Sequence, residues 1–179
     1  MAEKLYFTRH GQTVWNVENK ICGATDSPLT ELGRRQAAEL GRRIVAEGLP
    51  IDKILCSPLS RAADTARCIA EETGLPLEVE PRLMEQNFGR FEGTPRDGAE
   101  FSTAKANFVE SFDGGESMLR VAARIYSLLD ELRRKDETCL LVAHNGIARV
   151  VNSYFYDMTN AEYAAFGIRN CEIRQYDFE

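Results

Sequence analysis

Short apolar runs alternate along the chain with longer segments of helical periodicity, and this alternation restricts the fold more than any other feature of the sequence. Apolar runs occupy residues 4–8, 51–56, 77–80 and 138–143, and their lengths are typical of buried strands. Because helical segments separate them, the strands need crossover connections and pair in parallel. The sequence therefore predicts an α/β fold, a three-layer sandwich with a mainly parallel central sheet and helices on both faces.

Three helices are predicted between these strands. The clearest lies within residues 116–135, where apolar side chains recur three and four positions apart, as on one buried helix face. A second helix is expected over about 32–46, and a third over about 60–74 with Ser60 as its N-cap. The final segment, residues 171–178, alternates apolar and polar residues and predicts an antiparallel edge strand.

The length of 179 residues is that of one domain, so residues 1–179 are predicted to form a single unit. Residues 86–115 are irregular and rich in aromatic residues, which predicts a short lid inserted into the alternating pattern. Its five phenylalanines are expected to pack within the lid instead of contacting a ligand. They are Phe88, Phe91, Phe101, Phe108 and Phe112.

Composition excludes several classes of protein. A net charge of −6 argues against a nucleic-acid partner, because phosphate backbones are bound by clustered lysine and arginine. No apolar run approaches the ~20 residues of a membrane-spanning helix, and the N-terminal segment lacks a signal-peptide pattern. A cytoplasmic protein without membrane association is expected. The five cysteines are scattered without a C-x-x-C pair, so most are expected to be small buried apolar residues.

Polar motifs follow four of the predicted strands: TRHG, CSPLSRA, PRLMEQNFG and VAHNG. The carboxyl ends of parallel strands share one edge of a sheet, where open α/β sheets bind their ligands. Both histidines of the chain, His10 and His144, lie in these motifs. Arg9 and His10 would face opposite sides of a strand, so the strand must end there, and Gly11 is expected to supply the backbone freedom.

The residue types in these motifs suit a phosphoryl group. Arg9 and Arg61 stay charged and offer planar forks of donors that match phosphoryl oxygens. A neutral histidine ring supplies a nucleophilic nitrogen, while a second histidine supports the transferring charge. The alternative is that both arginines only cap carbonyl groups or pair with surface acids.

The motifs RHGQTVWN, GATDSPLTELG, SPLSRAADTA, EQNFGRFEG, GGES and AHNGIAR resemble, in their order and spacing, those of the histidine phosphatase superfamily, specifically its phosphoglycerate mutase-like branch. The resemblance covers essentially the whole chain. It implies that His10 is phosphorylated and that Glu85 is the general acid and then the base, with Glu92 and Glu116 as nearby alternatives. It also implies a clamp on the phosphoryl group formed by Arg9, Arg61 and His144.

The same resemblance implies further contacts and marks two departures. Asn16 would add a phosphate contact, although it can also cap a turn, and Cys22 and Gly23 would line the substrate or form a small buried wall. Asn145 stands where the family usually has glycine, and its backbone N–H is expected to face the phosphate. Ala24 replaces a tryptophan of the mutase branch, which implies a different pocket wall.

These features predict a metal-independent phosphomonoesterase that needs no cofactor and acts on a small phosphorylated metabolite through a phosphohistidine at His10. Mutases of this type carry a longer insertion with a basic cluster, whereas residues 86–115 hold only Arg90, Arg96 and Lys105. The shortage favours hydrolysis. Arg90 and Arg96 are expected to be solvated, with contact to a second acidic group on the substrate as the alternative. The alternatives are a cofactor-dependent phosphoglycerate mutase and a non-catalytic phosphate-binding module. The sequence does not indicate an oligomeric state.

Overall fold

The computed structural model describes all 179 residues. Its five strands form one sheet in the order β3-β2-β4-β1-β5. Of the four strand pairings three are parallel, and the fourth, between β5 and β1 at one edge, is antiparallel. The strands are β1 (Lys4–Arg9), β2 (Lys53–Cys56), β3 (Leu77–Val79), β4 (Cys139–Ala143) and β5 (Ile173–Asp177). The predicted α/β fold, with its mainly parallel sheet and antiparallel edge strand, is confirmed.

Seven α-helices accompany the sheet, of which the sequence predicted the three longest, α2, α3 and α5. They are α1 (Val14–Val17), α2 (Glu31–Glu47), α3 (Ser60–Thr73), α4 (Ala99–Ala104), α5 (Met118–Arg133), α6 (Asn145–Phe155) and α7 (Asn160–Ala165). Short 3₁₀ turns lie at Pro81–Leu83 and Gly89–Phe91. The helix α6, which begins directly after His144, was not predicted, and neither were the short helices α1 and α7.

The predicted N-cap of α3 is wrong. Leu59 occupies the N-cap position, and its side chain makes no capping hydrogen bond. The backbone N–H of Ser60 donates to Oδ2 of Asp26 at 2.8 Å. A carboxylate from a distant loop therefore satisfies this exposed donor at the helix start, and a local hydroxyl cap is unnecessary.

Alternate residues of the central strands enter two separate cores, as the pleat of a strand requires. Leu5 and Leu141 pack on one face of the sheet in a cluster that includes residues of α5 and α6. Tyr6 and Leu140 pack on the other face with residues of α2 and α3. Each fully buried aliphatic side chain stabilises the fold by about 1.5–3 kcal/mol relative to exposure. Helices cover both faces, so the predicted three-layer arrangement is confirmed.

The segment 86–115 builds a third, smaller cluster of its own. Its buried members are Ile21, Phe91, Phe101, Ala104 and Phe112, with Phe88 packed against them. Phe108 contacts the ring of Tyr163 edge-on, with the ring centroids 5.9 Å apart. The predicted packing within the lid holds for four of the five phenylalanines, whereas Phe108 packs against α7. Phe88 and Phe101 also line the cleft described below, so packing does not exclude them from its wall. The lid rests on the loop at Ile21.

Two expectations from composition concern the cysteines and the membrane. All five thiols are free; Cys56 and Cys139 are buried, while the remaining three are partly exposed. Burial as small apolar residues therefore holds for two of the five. No helix has both the length and the apolar composition needed to cross a bilayer.

Candidate active site

The segments that follow β1, β2, β3 and β4 bring five predicted residues into one cluster, called here the central cluster. His10 follows β1, His144 caps the start of α6, and their ring centroids are 5.3 Å apart. The members of the central cluster are Arg9, His10, Arg61, Glu85 and His144, and all but Arg9 are buried. The expectation that the two histidines face each other at this edge of the sheet agrees with the structure.

Backbone contacts fix the orientation of the His10 ring. Nδ1 lies 2.7 Å from the carbonyl oxygen of Gly11. Because a carbonyl oxygen only accepts hydrogen bonds, Nδ1 carries the proton and Nε2 keeps its lone pair. Burial and the adjacent Arg61 and Arg9 guanidinium groups lower the pKa of His10 well below its ordinary value. The ring is therefore neutral and nucleophilic at neutral pH.

Gly11 is required for a different reason from the one the sequence predicted. Its φ angle lies outside the left-handed region. A Cβ at this position would collide with the carbonyl group of Gly33 in α2, while the Gly11 N–H donates to Oγ1 of Thr65 at 3.0 Å. Close approach of two backbones, rather than conformational freedom, therefore excludes a side chain here.

His144 is held by Ser57, a residue for which no role was predicted. Its Nε2 lies 2.7 Å from Oγ of Ser57, at the end of β2, and its Nδ1 has no partner in the protein. A Ser57 hydroxyl that donates to Nε2 leaves the proton on Nδ1. Burial, followed by the charges of Arg61 and His10, lowers the pKa of His144 well below its ordinary value.

The two arginines of the central cluster are anchored by carbonyl oxygens. Nη1 of Arg61 donates to Thr25 at 2.9 Å and Nη2 to Gly23 at 2.6 Å. Nη1 of Arg9 donates to the carbonyl of Ile168 at 3.0 Å. Carbonyl capping, the alternative considered from the sequence, thus accounts for part of each fork, but it leaves the Nε atoms of both arginines without a partner.

Three buried side-chain polar atoms in the chain lack a hydrogen-bond partner, and all three belong to this cluster. They are Nε of Arg9, Nε of Arg61 and Nδ1 of His144. A buried donor without a partner costs about 1–3 kcal/mol, so a native protein rarely keeps one without a use. Burial and the nearby charge of Arg96 lower the pKa of Arg9 to about 10. Donors and excess positive charge together suit a phosphoryl group.

Glu85 is the acidic member of the central cluster. Its Oε1 accepts the N–H of Gln86 at 2.9 Å, and its Oε2 accepts the N–H of Gly146, in the first turn of α6, at 3.0 Å. The two alternative acids have other contacts. Glu116 forms a two-point ion pair with Arg124. Glu92 accepts three backbone N–H groups, so its carboxylate is engaged in holding the loops together.

The other predicted ligand-binding residues surround the cluster differently. Oδ1 of Asn16 accepts the N–H of Thr13 at 3.1 Å, which leaves its NH₂ group for an anion. Cys22 lines the cleft, and burial raises the pKa of its thiol to about 11. Gly23 lies behind Arg61 and does not line the cleft. Asn145 lines it and fixes the backbone of Ile168 through Oδ1. Their roles in binding stay predictions.

The cleft over the central cluster has a volume of about 590 Å³. Beyond the predicted residues, its wall includes Arg96, Lys105 and Arg149. Arg96 is exposed, as expected, but it also faces this cleft. Arg90 lies outside the cleft and pairs with acids on the surface of the lid. The sequence analysis predicted no role in the cleft for Lys105 or Arg149. The spacing could have indicated Arg149, because Gly146 and Arg149 lie three positions apart and share one helix face.

The loop before β5 completes the cluster from the far end of the sequence. Nδ2 of Asn170 donates to the His10 carbonyl at 2.8 Å, and the N–H of Cys171 donates to the carbonyl of Arg9 at 2.9 Å. Together with the hydrogen bond from Arg9 to the Ile168 carbonyl, these contacts fix the end of β1. No local pattern in the sequence indicated them.

Fold and site together define an α/β protein with a histidine- and arginine-lined anion cleft at the carboxyl edge of its sheet. The model of the "Histidine phosphatase superfamily (branch 1)" matches residues 5–179. The chain belongs to this superfamily and is an enzyme of the histidine phosphatase type.

Relatives and solved structures support this assignment. "Probable phosphoglycerate mutase GpmB" of Yersinia pestis (strain Pestoides F) is 33% identical over 186 residues, covering 98% of this chain and 85% of the relative. A mycobacterial glucosyl-3-phosphoglycerate phosphatase with VO₃ has a TM-score of 0.83 and 32% identity, over 97% and 92% of the two chains. The alpha-ribazole phosphatase of Shigella flexneri has a TM-score of 0.82 and 25% identity, over 98% and 91%.

Proposed function

We propose that the protein hydrolyses phosphate monoesters of small metabolites, without a metal ion or other cofactor, through a phosphohistidine at His10. The unpartnered buried donors on Arg9, Arg61 and His144, next to a ring whose Nε2 is unprotonated, are the main support for this proposal. The cleft that covers these groups is lined by both polar and apolar side chains, as small-molecule sites commonly are. Nucleic-acid and membrane partners are not part of the proposal, and the cytoplasm stays its predicted location.

The first step transfers the phosphoryl group to the protein. Nε2 of His10 attacks phosphorus in line with the ester oxygen, the N–P bond forms and the P–O bond to the alcohol breaks. Arg9, Arg61 and His144 stabilise the charge on the other three oxygens. Glu85, in its acid form, gives its proton to the leaving oxygen, so the alcohol departs neutral.

The second step returns the histidine to its starting state. A water molecule attacks phosphorus, the N–P bond breaks and Glu85 accepts the proton that the water loses. Inorganic phosphate leaves, while His10 keeps its proton on Nδ1, facing Gly11. One carboxyl group serves both steps, because the proton it gives in the first step is replaced in the second.

The test is hydrolysis of p-nitrophenyl phosphate, with and without a chelator, followed by rapid quenching to trap the intermediate. We expect turnover that the chelator does not change and an acid-labile phosphoryl group on His10 by mass spectrometry. His10→Ala should lower kcat by roughly 10⁴-fold or more, with unchanged circular dichroism. A wild-type protein that binds phosphate without turnover would instead be the non-catalytic binding module.

A second candidate is a phosphoglycerate mutase, which the name of the Yersinia relative favours. A mutase would pass the phosphoryl group from His10 back to a phosphoglycerate instead of to water. Interconversion of 2- and 3-phosphoglycerate that is faster than phosphate release would establish it. Faster phosphate release supports the hydrolase.

A further inference from the structure

A second cavity, of about 740 Å³, opens beside the catalytic cleft. The two cavities share Phe88, Lys105, Gly146 and Arg149 in their walls, so they adjoin at these residues, which are called here the junction. The far wall of the second cavity is largely apolar. It includes Phe108, Phe112, Met118, Tyr163 and Ala164. The hydrolysis of a phosphoryl group alone would not need this space.

Two cationic side chains lie at the junction. Arg149 projects from α6, and its Nε donates to the Phe166 carbonyl at 2.7 Å. Nζ of Lys105 lies 5.5 Å from the ring centroid of Phe101. Neither forms an ion pair, whereas Arg90 on the same lid pairs with acids. Burial and then the charge of Arg149 lower the pKa of Lys105, which indicates a desolvated site with like charges close together.

The charges of the cleft exceed what a phosphate ester needs. A phosphoryl dianion is matched by two cations of the central cluster, that of Arg9, which lines the cleft, and that of Arg61, which also pairs with Asp26 at 3.5 Å. The remaining cations, Arg96, Lys105 and Arg149, share the cleft with one carboxyl group, that of Glu85. Unmatched positive charge in a partly buried site favours a further anionic group on the ligand.

We propose that the natural substrate is a phosphate monoester whose alcohol carries a second anionic group and a ring-sized apolar body. The anionic group binds Lys105 and Arg149 at the junction, and the apolar body occupies the second cavity. This inference rests on the proposed hydrolase function and adds to it the class of the leaving group. Aromatic and apolar walls with a few charged groups are typical of such binding sites.

The experiment compares kcat/KM for substrates that differ in charge and in bulk. 4-Carboxyphenyl phosphate has both properties, its neutral isostere 4-carbamoylphenyl phosphate has only the ring, and glycerol 3-phosphate has neither. We expect the carboxyphenyl ester to be preferred over the carbamoyl ester by about 10-fold or more, the effect of one charged hydrogen-bonded contact.

Three variants locate the effect. Lys105→Met keeps the packing against Phe101 and should abolish most of the preference for the carboxylate. Lys135→Met changes the net charge equally, at an exposed position just after α5, and should preserve the preference. Ala164→Trp fills the second cavity from an exposed position on α7 and should lower kcat/KM for the ring substrates far more than for glycerol 3-phosphate.

The outcomes separate this inference from the function on which it rests. Hydrolysis of all three esters without preference for charge or ring would overturn the inference and leave the hydrolase intact. A preference that survives both Lys105→Met and Ala164→Trp would also overturn it. No phosphate release from any of the esters would overturn the hydrolase function together with the inference.

Discussion

The central cluster and the lid form opposite walls of the same cleft, but they are built differently. The side chains of the central cluster are fastened to backbone groups, as in the contacts of His10 with Gly11 and of Arg61 with Gly23. The lid stands on a cluster of five buried side chains and on surface ion pairs, such as that of Arg90 with Glu110. Backbone hydrogen bonds therefore restrict the side chains of the central cluster, whereas the lid is held by fewer contacts.

This difference implies that the central cluster carries out the chemical step and that the lid determines substrate preference. Backbone hydrogen bonds hold donors at fixed positions, which is the arrangement that stabilises charge in a transition state. Side chains on a small separate cluster can be exchanged without disturbing the sheet, so the lid is the place where substrate preference can change. The following changes test this division, beginning with the largest expected effect.

Exchanging one arginine in each wall should give very different results. Arg61 is 1% exposed and bridges carbonyl groups, and lysine lacks the planar fork to replace it. We expect Arg61→Lys to lower kcat by about 10²- to 10³-fold. Arg90→Lys weakens surface pairs, worth about 0–1 kcal/mol, and a cation–π contact with Phe91, all outside the cleft, and should change kcat by less than about twofold. Equal losses of kcat for the two variants in steady-state assays would refute the division of roles between the central cluster and the lid.

Truncating one buried side chain in each region should separate global from local stability. Ile125 is fully buried in the core of 18 residues, and Ile125→Ala should lower the free energy of unfolding by about 2–5 kcal/mol. Phe112 belongs to the lid cluster. Phe112→Ala should increase hydrogen exchange of lid amides and raise KM, with a smaller change in urea unfolding. Uniform destabilisation by both variants would show that lid and core unfold together.

The link between the two walls is Glu92. Its carboxylate accepts the N–H groups of Gly23 and Ala24, next to Arg61, and that of Phe88 in the lid. The amide in Glu92→Gln has one accepting oxygen, so at least one of these bonds is lost. We expect kcat to fall about tenfold, since a lost bond to a charged group costs about 1.5–3 kcal/mol.

The matched control for this link is Glu110→Gln. Glu110 pairs with Arg90 at the lid surface and does not contact the loop that holds Arg61. Its kcat on p-nitrophenyl phosphate should stay near that of the wild type. If both variants lose activity equally, Glu92 has no special part in connecting the walls.

The pH dependence of stability should depend on the central cluster. The folded-state pKa values of His10 and His144 lie below the ordinary value of 6.5, so below pH 6.5 the unfolded chain binds more protons than the folded one. Stability is therefore full above pH 6.5 and decreases as the pH falls, by up to about 1.4 kcal/mol per pH unit for each histidine. Urea unfolding between pH 7 and pH 5.5 measures this slope, and His10→Asn should reduce it. A free energy of unfolding that does not change over this pH range would contradict the lowered pKa values of the two histidines.

The sequence predicted the residues whose position follows from strand ends. His10, Arg61 and His144 were found because parallel strands finish at one edge and because histidine is scarce in this chain. Long helices were found from their periodicity, but short ones such as α1 and α7 depend on tertiary contacts more than on local propensity.

The residues that were missed depend on relations that no local pattern encodes. Ser57 stands inside a motif that was noticed, yet its role follows only from the distance between β2 and β4. Asn170 comes from a loop without periodicity. Arg149 lay within reach of prediction, but only after α6 had been recognised as a helix.

The contacts of Ile168 and Asn170 with Arg9 and His10 join the two ends of the described sequence. During synthesis, β1 is made some 160 residues before these neighbours. A chain that ends before them carries His10 without the groups that hold it in place. We therefore expect products truncated before Ile168 to be inert.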